Sequence, residues 1–162
     1  MRRLLVFCAA VGMLMAGFAA SASAASNSER WTIITVNAGP GRVVAQGPIN
    51  AVGTVHDNFI LFPDGTFTNT AVQTFPDGVI TLASHGSQQF AFHPAACEGE
   101  GTISGQFTVL SGTGRYAGLT GSGTIGGRIT VVEMRTPSGC SQAPLTFVAA
   151  GFAVGVVSLP AG

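Results

Sequence analysis

The run from Ser111 to Thr124 constrains the fold more than any other part of the sequence. Five of its fourteen residues are glycine, and segments that alternate apolar and polar residues flank it on both sides. Glycine adopts conformations with positive φ and lets backbones approach closely, so the run predicts a tight connection between two β-strands. After residue 25 the chain shows almost no helical periodicity, and the alternation recurs throughout. The sequence therefore predicts an all-β fold.

The first 24 residues have the features of a cleaved signal peptide. Arg2 and Arg3 form a basic start, an apolar stretch follows over 4–18, and small residues precede a predicted cleavage after Ala24. The apolar stretch is shorter than the about 20 residues that a transmembrane helix needs. We therefore expect a secreted chain, residues 25–162, that forms one domain with no membrane span.

The charge of the mature chain argues against a nucleic-acid partner. It has no lysine, and its five arginines are outnumbered by seven acidic residues. Nucleic acids and anionic membrane surfaces are bound by clustered basic side chains, which this chain lacks.

Two cysteines, Cys97 and Cys140, follow the predicted cleavage site. In an exported protein an even pair favours a disulfide, and the spacing matches no zinc pattern. Two buried free thiols are the alternative. If the strands run up and down, the connections at 93–98 and 135–144 fall at the same end, so the two sulfurs can meet there without distortion.

Eight strands are predicted, and closing them into an up-and-down antiparallel barrel would remove the sheet edges. Their bounds are 31–36, 43–56, 59–62, 66–74, 79–92, 102–110, 122–134 and 145–158. The second strand should bend or bulge at Gly47-Pro48, because proline removes a ladder donor. Phe62–Gly65 and Phe75–Gly78 repeat the sequence Phe-Pro-Asp-Gly, which predicts two β-turns. The last strand is apolar on both faces, which predicts a lumen on one side and a subunit contact on the other.

The segment from Gly101 to Gly127 resembles the barrel family that includes allene oxide cyclases and plant dirigent proteins. The resemblance lies in Phe107-Thr-Val-Leu-Ser-Gly-Thr-Gly-Arg-Tyr-Ala-Gly-Leu-Thr-Gly121, where a strand leads into a turn of Gly-Thr-Gly, a basic and an aromatic residue. Phe62–Gly65 and Ala45–Ile49 are weaker matches. The resemblance implies an eight-stranded antiparallel barrel, often a homo-trimer, around an apolar cavity. It also implies cyclisation or stereochemical steering of apolar substrates without a metal or organic cofactor. The cyclases' cavity residues have no counterparts that can be placed on this chain, so no catalytic residue carries over.

Other motifs give weaker signals. Gly112-x-Gly114-x-x-Ala117 matches part of a dinucleotide fingerprint, but the glycine-rich continuation cannot form the helix that holds the pyrophosphate. His85 and His93 lie about 26 Å apart on an extended strand, too far to bind one metal ion. No metal site is therefore expected, and the histidines should be solvated or singly hydrogen-bonded.

A small group of charged residues is predicted on the polar faces of neighbouring strands. It comprises Glu98, Glu100 and Arg128. We expect a solvated cross-strand cluster, and a buried acid–base pair is the alternative.

The expected function is binding of a small apolar ligand in the lumen, with no cofactor, because small barrels hold either packed side chains or one small molecule. The candidate ligand-binding residues are Asp57, Arg115 and Tyr116, expected at a mouth beside the glycine-rich connection. No catalytic residue is assigned. Two alternatives stay open: a cofactor-free cyclase or isomerase that fixes its substrate's conformation, and a structural or cell-surface assembly module. The latter requires inward residues that fill the lumen, the candidates being Phe67, Phe90, Phe92, Phe107 and Val109.

Overall fold

Eight strands form a closed antiparallel barrel in which each strand pairs with its neighbours in sequence. The computed structural model describes residues 27–37 and 39–160, so the predicted signal peptide at 1–24 lies outside the described residues. The strands are β1 (Ser28–Val36), β2 (Gly41–Gln46), β3 (Ala51–Leu61), β4 (Thr66–Phe75), β5 (Gly78–His93), β6 (Glu98–Gly112), β7 (Thr120–Thr136) and β8 (Gly139–Ser158). This confirms the predicted all-β, eight-stranded up-and-down barrel.

The barrel closes where the first strand meets the last. β1 and β8 pair over nine residues, from Ser28 opposite Val156 to Val36 opposite Val148. Pairing on both sides satisfies the backbone groups of β1 and β8 that an open sheet would leave at its edges.

The up-and-down order divides the connections between two ends. The β1–β2, β3–β4, β5–β6 and β7–β8 connections lie at one end, which we call the disulfide end. The β2–β3, β4–β5 and β6–β7 connections lie at the other, which we call the glycine end. The glycine-rich connection packs on the β4–β5 turn there, where the backbone N–H of Arg115 donates to the carbonyl of Asp77 at 2.9 Å. Gly114 has a φ of +58°, and a Cβ there would clash with that same carbonyl.

The glycine end is filled by a packed set of side chains that we call the plug. Trp31 and Phe107 meet edge to face at 5.4 Å between ring centroids, and Phe75 meets Tyr116 in the same way at 5.7 Å. Other members are Val43, Ala45, Ile49, Val55, Ile80, Val109, Leu119 and Val157. Every plug residue is less than 9% exposed. Burial of this apolar surface is the main source of stability in the fold.

Two of the predicted strands are wrong. The segment 43–56 is two strands, β2 and β3, separated by a reversal at 47–50. Asn50 has a φ of +44°, and the backbone N–H of Ile49 donates to a carboxylate oxygen of Glu29 at 2.9 Å. The short strand predicted at 59–62 corresponds to the end of β3, and Asp57 and Asn58, which fall between two predicted strands, lie within β3. The two errors offset each other, so the predicted number of strands is correct.

The outer face of β8 stays apolar and exposed on the described chain. Phe152 is 44% exposed and Val156 is 61% exposed, while the inner face carries small residues such as Ala149 and Ala153. The predicted subunit contact and the trimer implied by the resemblance stay predictions. Among the described residues, no helix is long and apolar enough to cross a membrane.

The predicted disulfide is present. Cys97 and Cys140 are bonded, with their Cα atoms 5.4 Å apart. The same corner is tied by the backbone N–H of Glu133, which donates to the carbonyl of Cys97 at 2.8 Å, and by the guanidinium of Arg135, which donates to the carbonyl of Ala95. The bond therefore joins the β5–β6 turn to the start of β8 at the disulfide end.

Replacing both cysteines by alanine should lower the free energy of unfolding by about 4 kcal/mol. The bond spans 43 residues, and a loop of that length restricts the unfolded chain by about this amount. Urea unfolding of the double variant and of the oxidised protein measures the difference, and oxidised protein treated with a thiol reductant is the control. A difference under about 1 kcal/mol would contradict the expectation.

Candidate ligand-binding lumen

The inside of the barrel holds a cavity of about 600 Å³. It lies between the plug and the disulfide end, and residues from β1 and from β3 to β8 line it. Its volume falls within the range of small-molecule sites, about 300–1,000 Å³. Phe67, Phe107 and Val109 are buried inside the barrel but do not fill it.

The cavity opens at the disulfide end. Its lining residues nearest that end are among the exposed large apolar side chains: Phe59 is 38% exposed, Leu61 is 48% exposed and Phe90 is 46% exposed. At the opposite end the plug residues Trp31 and Tyr116 are at most 1% exposed and close the barrel. We call the open end the mouth.

The two sides of the cavity differ in polarity. One side, formed by β3, β4 and β5, carries what we call the polar wall: Asp57, Asn69, Gln73, Ser84 and Gln88. The other side, formed by β6, β7 and β8, carries what we call the apolar wall: Ile103, Phe107, Ile125, Ile129, Val131, Phe147, Ala149 and Ala153. A molecule inside would therefore meet polar groups on one flank and, apart from Arg128 on β7, apolar surface on the other.

The polar wall contains buried groups with no hydrogen-bond partner in the described part of the chain. Asn69 donates its side-chain Nδ2 to Oδ1 of Asp57 at 2.9 Å, and its Oδ1 is buried without a partner. Gln73 is 0% exposed, and neither Nε2 nor Oε1 has a partner. Buried polar groups are nearly always hydrogen-bonded, so these atoms indicate a site with unfilled bonding capacity.

The structure separates the three predicted ligand-binding residues. Asp57 lines the cavity on the inner face of β3. Tyr116 is 1% exposed and belongs to the plug, and burial together with the nearby carboxylate of Asp77 raises the pKa of its hydroxyl. Arg115 lies at the glycine end, with its guanidinium 3.7 Å from Asp77. Neither Arg115 nor Tyr116 lines the cavity, and a ligand-binding role for them stays a prediction.

Four polar-wall residues were missed by the sequence analysis. Asn69 and Gln73 alternate with Phe67, Ala71 and Phe75 on the inner face of β4. The sequence does contain a signal for them, because these polar amides occupy positions on a strand face that is otherwise apolar. Ser84 and Gln88 on β5 follow the same pattern.

The other singled-out polar residues lie on the surface. His56, His85 and His93 are exposed, as are Glu98, Glu100 and Arg128. The imidazole of His93 is 4.0 Å from the carboxylate of Glu100, and both side chains are more than half exposed. Exposed pairs of this kind contribute little to stability. The side chains of Glu98, Glu100 and Arg128 are exposed to solvent rather than buried.

No protein family, no curated protein and no solved structure matches this chain on comparison. The case for function therefore rests on the geometry of the lumen.

Glu29 is a buried carboxylate beside the plug. It is 0% exposed, Oε2 accepts the hydrogen bond from the N–H of Ile49, and Oε1 has no partner in the described chain. Burial raises the pKa of this carboxyl, and backbone hydrogen bonds from Ile49, Gln46 and Arg30 offset part of the rise. Glu29 thus anchors the β2–β3 reversal at the cost of burying an acid.

Stability should fall as the pH rises through the pKa of Glu29 in the folded protein. Because that pKa is raised above its ordinary value of 4.5, the folded protein binds the proton more tightly than the unfolded chain does. The stabilisation is complete below about 4.5 and is lost across the raised pKa. Urea unfolding at a series of pH values should show this component in the wild type and not in Glu29→Gln. The exposed Glu100→Gln is the control, and parallel curves for the wild type and Glu29→Gln would refute the assignment.

Proposed function

We propose that this chain is an exported protein that binds one small, mostly apolar molecule inside the barrel. The observation that carries the proposal is the cavity of about 600 Å³ with a closed inner end and an open mouth. A barrel whose interior is packed throughout would support an assembly module instead, and the volume between the plug and the mouth favours binding.

The character of the lining supports an apolar occupant. The apolar wall presents aliphatic and aromatic side chains, and apolar surface moved from water onto them is stabilised by about 25 cal/mol per Å². Phe59 and Phe67 stack at 4.9 Å between ring centroids on the inner faces of β3 and β4, which adds a flat aromatic surface beside the polar wall. The few polar groups would orient the molecule rather than supply most of its affinity.

Export and kinship belong to the same proposal. The disulfide between Cys97 and Cys140 supports an oxidising compartment, in agreement with the signal peptide expected at 1–24. The strand order and the glycine-rich connection between β6 and β7 support kinship with the allene oxide cyclase and dirigent barrels.

A fluorescent apolar probe tests binding in the lumen. N-phenyl-1-naphthylamine should bind one site per chain with a saturable rise in fluorescence. Ala149 faces the lumen and Val148 faces outward, so Ala149→Phe should weaken binding at least about tenfold, or about 1.4 kcal/mol, and Val148→Phe should leave it unchanged. Fluorescence titration with a circular-dichroism check of folding gives the comparison. Equal binding by the two variants would place the probe outside the lumen.

A cofactor-free isomerase or cyclase is the second candidate, favoured by one observation. The carboxylate of Asp57 lines the cavity and is held by Nδ2 of Asn69, so it faces any occupant as a positioned base. Such a base could move a proton while the walls fix the substrate's conformation.

Asp57→Asn separates catalysis from binding. Native mass spectrometry of protein from its own culture medium identifies a retained molecule, which is then incubated with fresh protein and followed by NMR. An isomerase should lose at least about 100-fold in rate with Asp57→Asn, while the affinity for N-phenyl-1-naphthylamine stays the same. If the wild type does not convert the molecule, the enzyme candidate is rejected and the binding proposal stands.

A further inference from the structure

Gln73 is the most unusual group in the lumen. It sits on the inner face of β4 where the cavity meets the plug: its register partners Val55 and Ile80 belong to the plug, as does Phe75 two residues on. Its amide is fully buried, with one donor group and one acceptor group both unpaired. An amide in that condition has lost its hydrogen bonds to water and gained none in return.

A second amide points to the same requirement. Asn69 lies on the same inner face of β4 as Gln73, with Ala71 between them. Its Nδ2 donates a hydrogen bond to Asp57. Its other polar atom, the acceptor Oδ1, has no partner in the described chain. The polar wall therefore offers one amide with both a donor and an acceptor, one further acceptor, and the carboxylate of Asp57.

We propose that the occupant of the lumen has a neutral polar head, with a hydrogen-bond donor next to an acceptor, that pairs with the amide of Gln73. A primary amide or a lactam is the simplest chemical class that fits. The head would lie at the inner end beside the polar wall, and the apolar body would extend along the apolar wall toward the mouth. This inference rests on the proposed function, because it assigns the ligand class of the same cavity.

The charges around the cavity select a neutral head over an anionic one. Asp57 and the free acceptor of Asn69 both repel an anion, and every described arginine is exposed. The alternation along β1 and β2 places Arg30 and Arg42 on the outer face. Arg128 borders the cavity from β7, but its register partner Thr102 pairs with Gln89, which lies nine residues nearer the mouth on β5 than Ile80, the partner of Gln73. At the inner end beside Gln73 an anion would be buried without a cationic partner, which is strongly disfavoured, whereas a neutral donor satisfies the acceptors.

The pairing requires a small movement of Gln73. The side chain is covered in the structure, so the proposal requires rotation about its torsions to turn the amide toward the cavity. Ala71, its neighbour on the inner face toward the mouth, presents only a methyl group beside it. The competing explanation is a trapped water molecule that satisfies the amide and contributes no selectivity.

Three short probes that differ only in the head test the proposal. Octanamide, N,N-dimethyloctanamide and octanoate compete with N-phenyl-1-naphthylamine for the purified protein. Octanamide should bind at least about tenfold more tightly than the other two, since only it supplies a neutral donor beside an acceptor. Gln73→Leu should abolish this preference, and Gln106→Leu, the same change at an exposed position of β6 that does not line the cavity, should retain it.

The outcomes separate the inference from the function on which it rests. If the fluorescent probe does not bind the wild type, the proposed function fails. If the probe binds and the three competitors are equivalent, the head group assigned here is wrong while lumen binding stands. A preference that survives in Gln73→Leu would assign selectivity to other groups and overturn the role of Gln73. The wild-type comparison decides the ligand class even if Gln73→Leu does not fold.

Discussion

The pairing of β1 with β8 is the constraint on which the lumen depends. Nine residue pairs join the first strand to the last, and without them the eight strands would form an open sheet with no inside. Closure fixes which alternate side chains face inward, and so it brings residues far apart in sequence, such as Trp31 and Phe107, into contact. Cavity, plug and polar wall all follow from that closure.

Dense packing and open space lie at different ends of one barrel. The glycine end packs aromatic and aliphatic side chains to complete burial, which supplies apolar stabilisation without help from an occupant. The disulfide end leaves space, and a covalent bond between Cys97 and Cys140 there restrains the connections that packing does not. A barrel organised in this way can hold a cavity without losing its fold.

Strand faces, which depend on local alternation, could be predicted from the sequence. The reversal at 47–50 and the position of the mouth, which depend on contacts between distant residues, could not. The alternation of apolar and polar residues correctly predicted which side chains face inward, even on both sides of the reversal at 47–50. Ala45 and Ala51 are paired across that reversal, so both face inward and the alternation continues unbroken. The reversal itself was missed because Glu29, 20 residues away, accepts the bond from Ile49. The position of the mouth was missed for a related reason: whether an end is filled depends on the summed volumes of side chains from many strands. Asp57 was predicted to bind the ligand at a mouth beside the glycine-rich connection, whereas it lines the cavity that opens at the other end, and Gln73 was not predicted.

A cavity with a single opening has a kinetic consequence. In the described part of the chain the plug blocks passage through the barrel, so the interior is a container rather than a conduit. On the proposed function, a molecule bound inside would enter and leave through the mouth alone, past the exposed apolar side chains of Phe59, Leu61 and Phe90. Passage across those side chains would then set the pace of exchange.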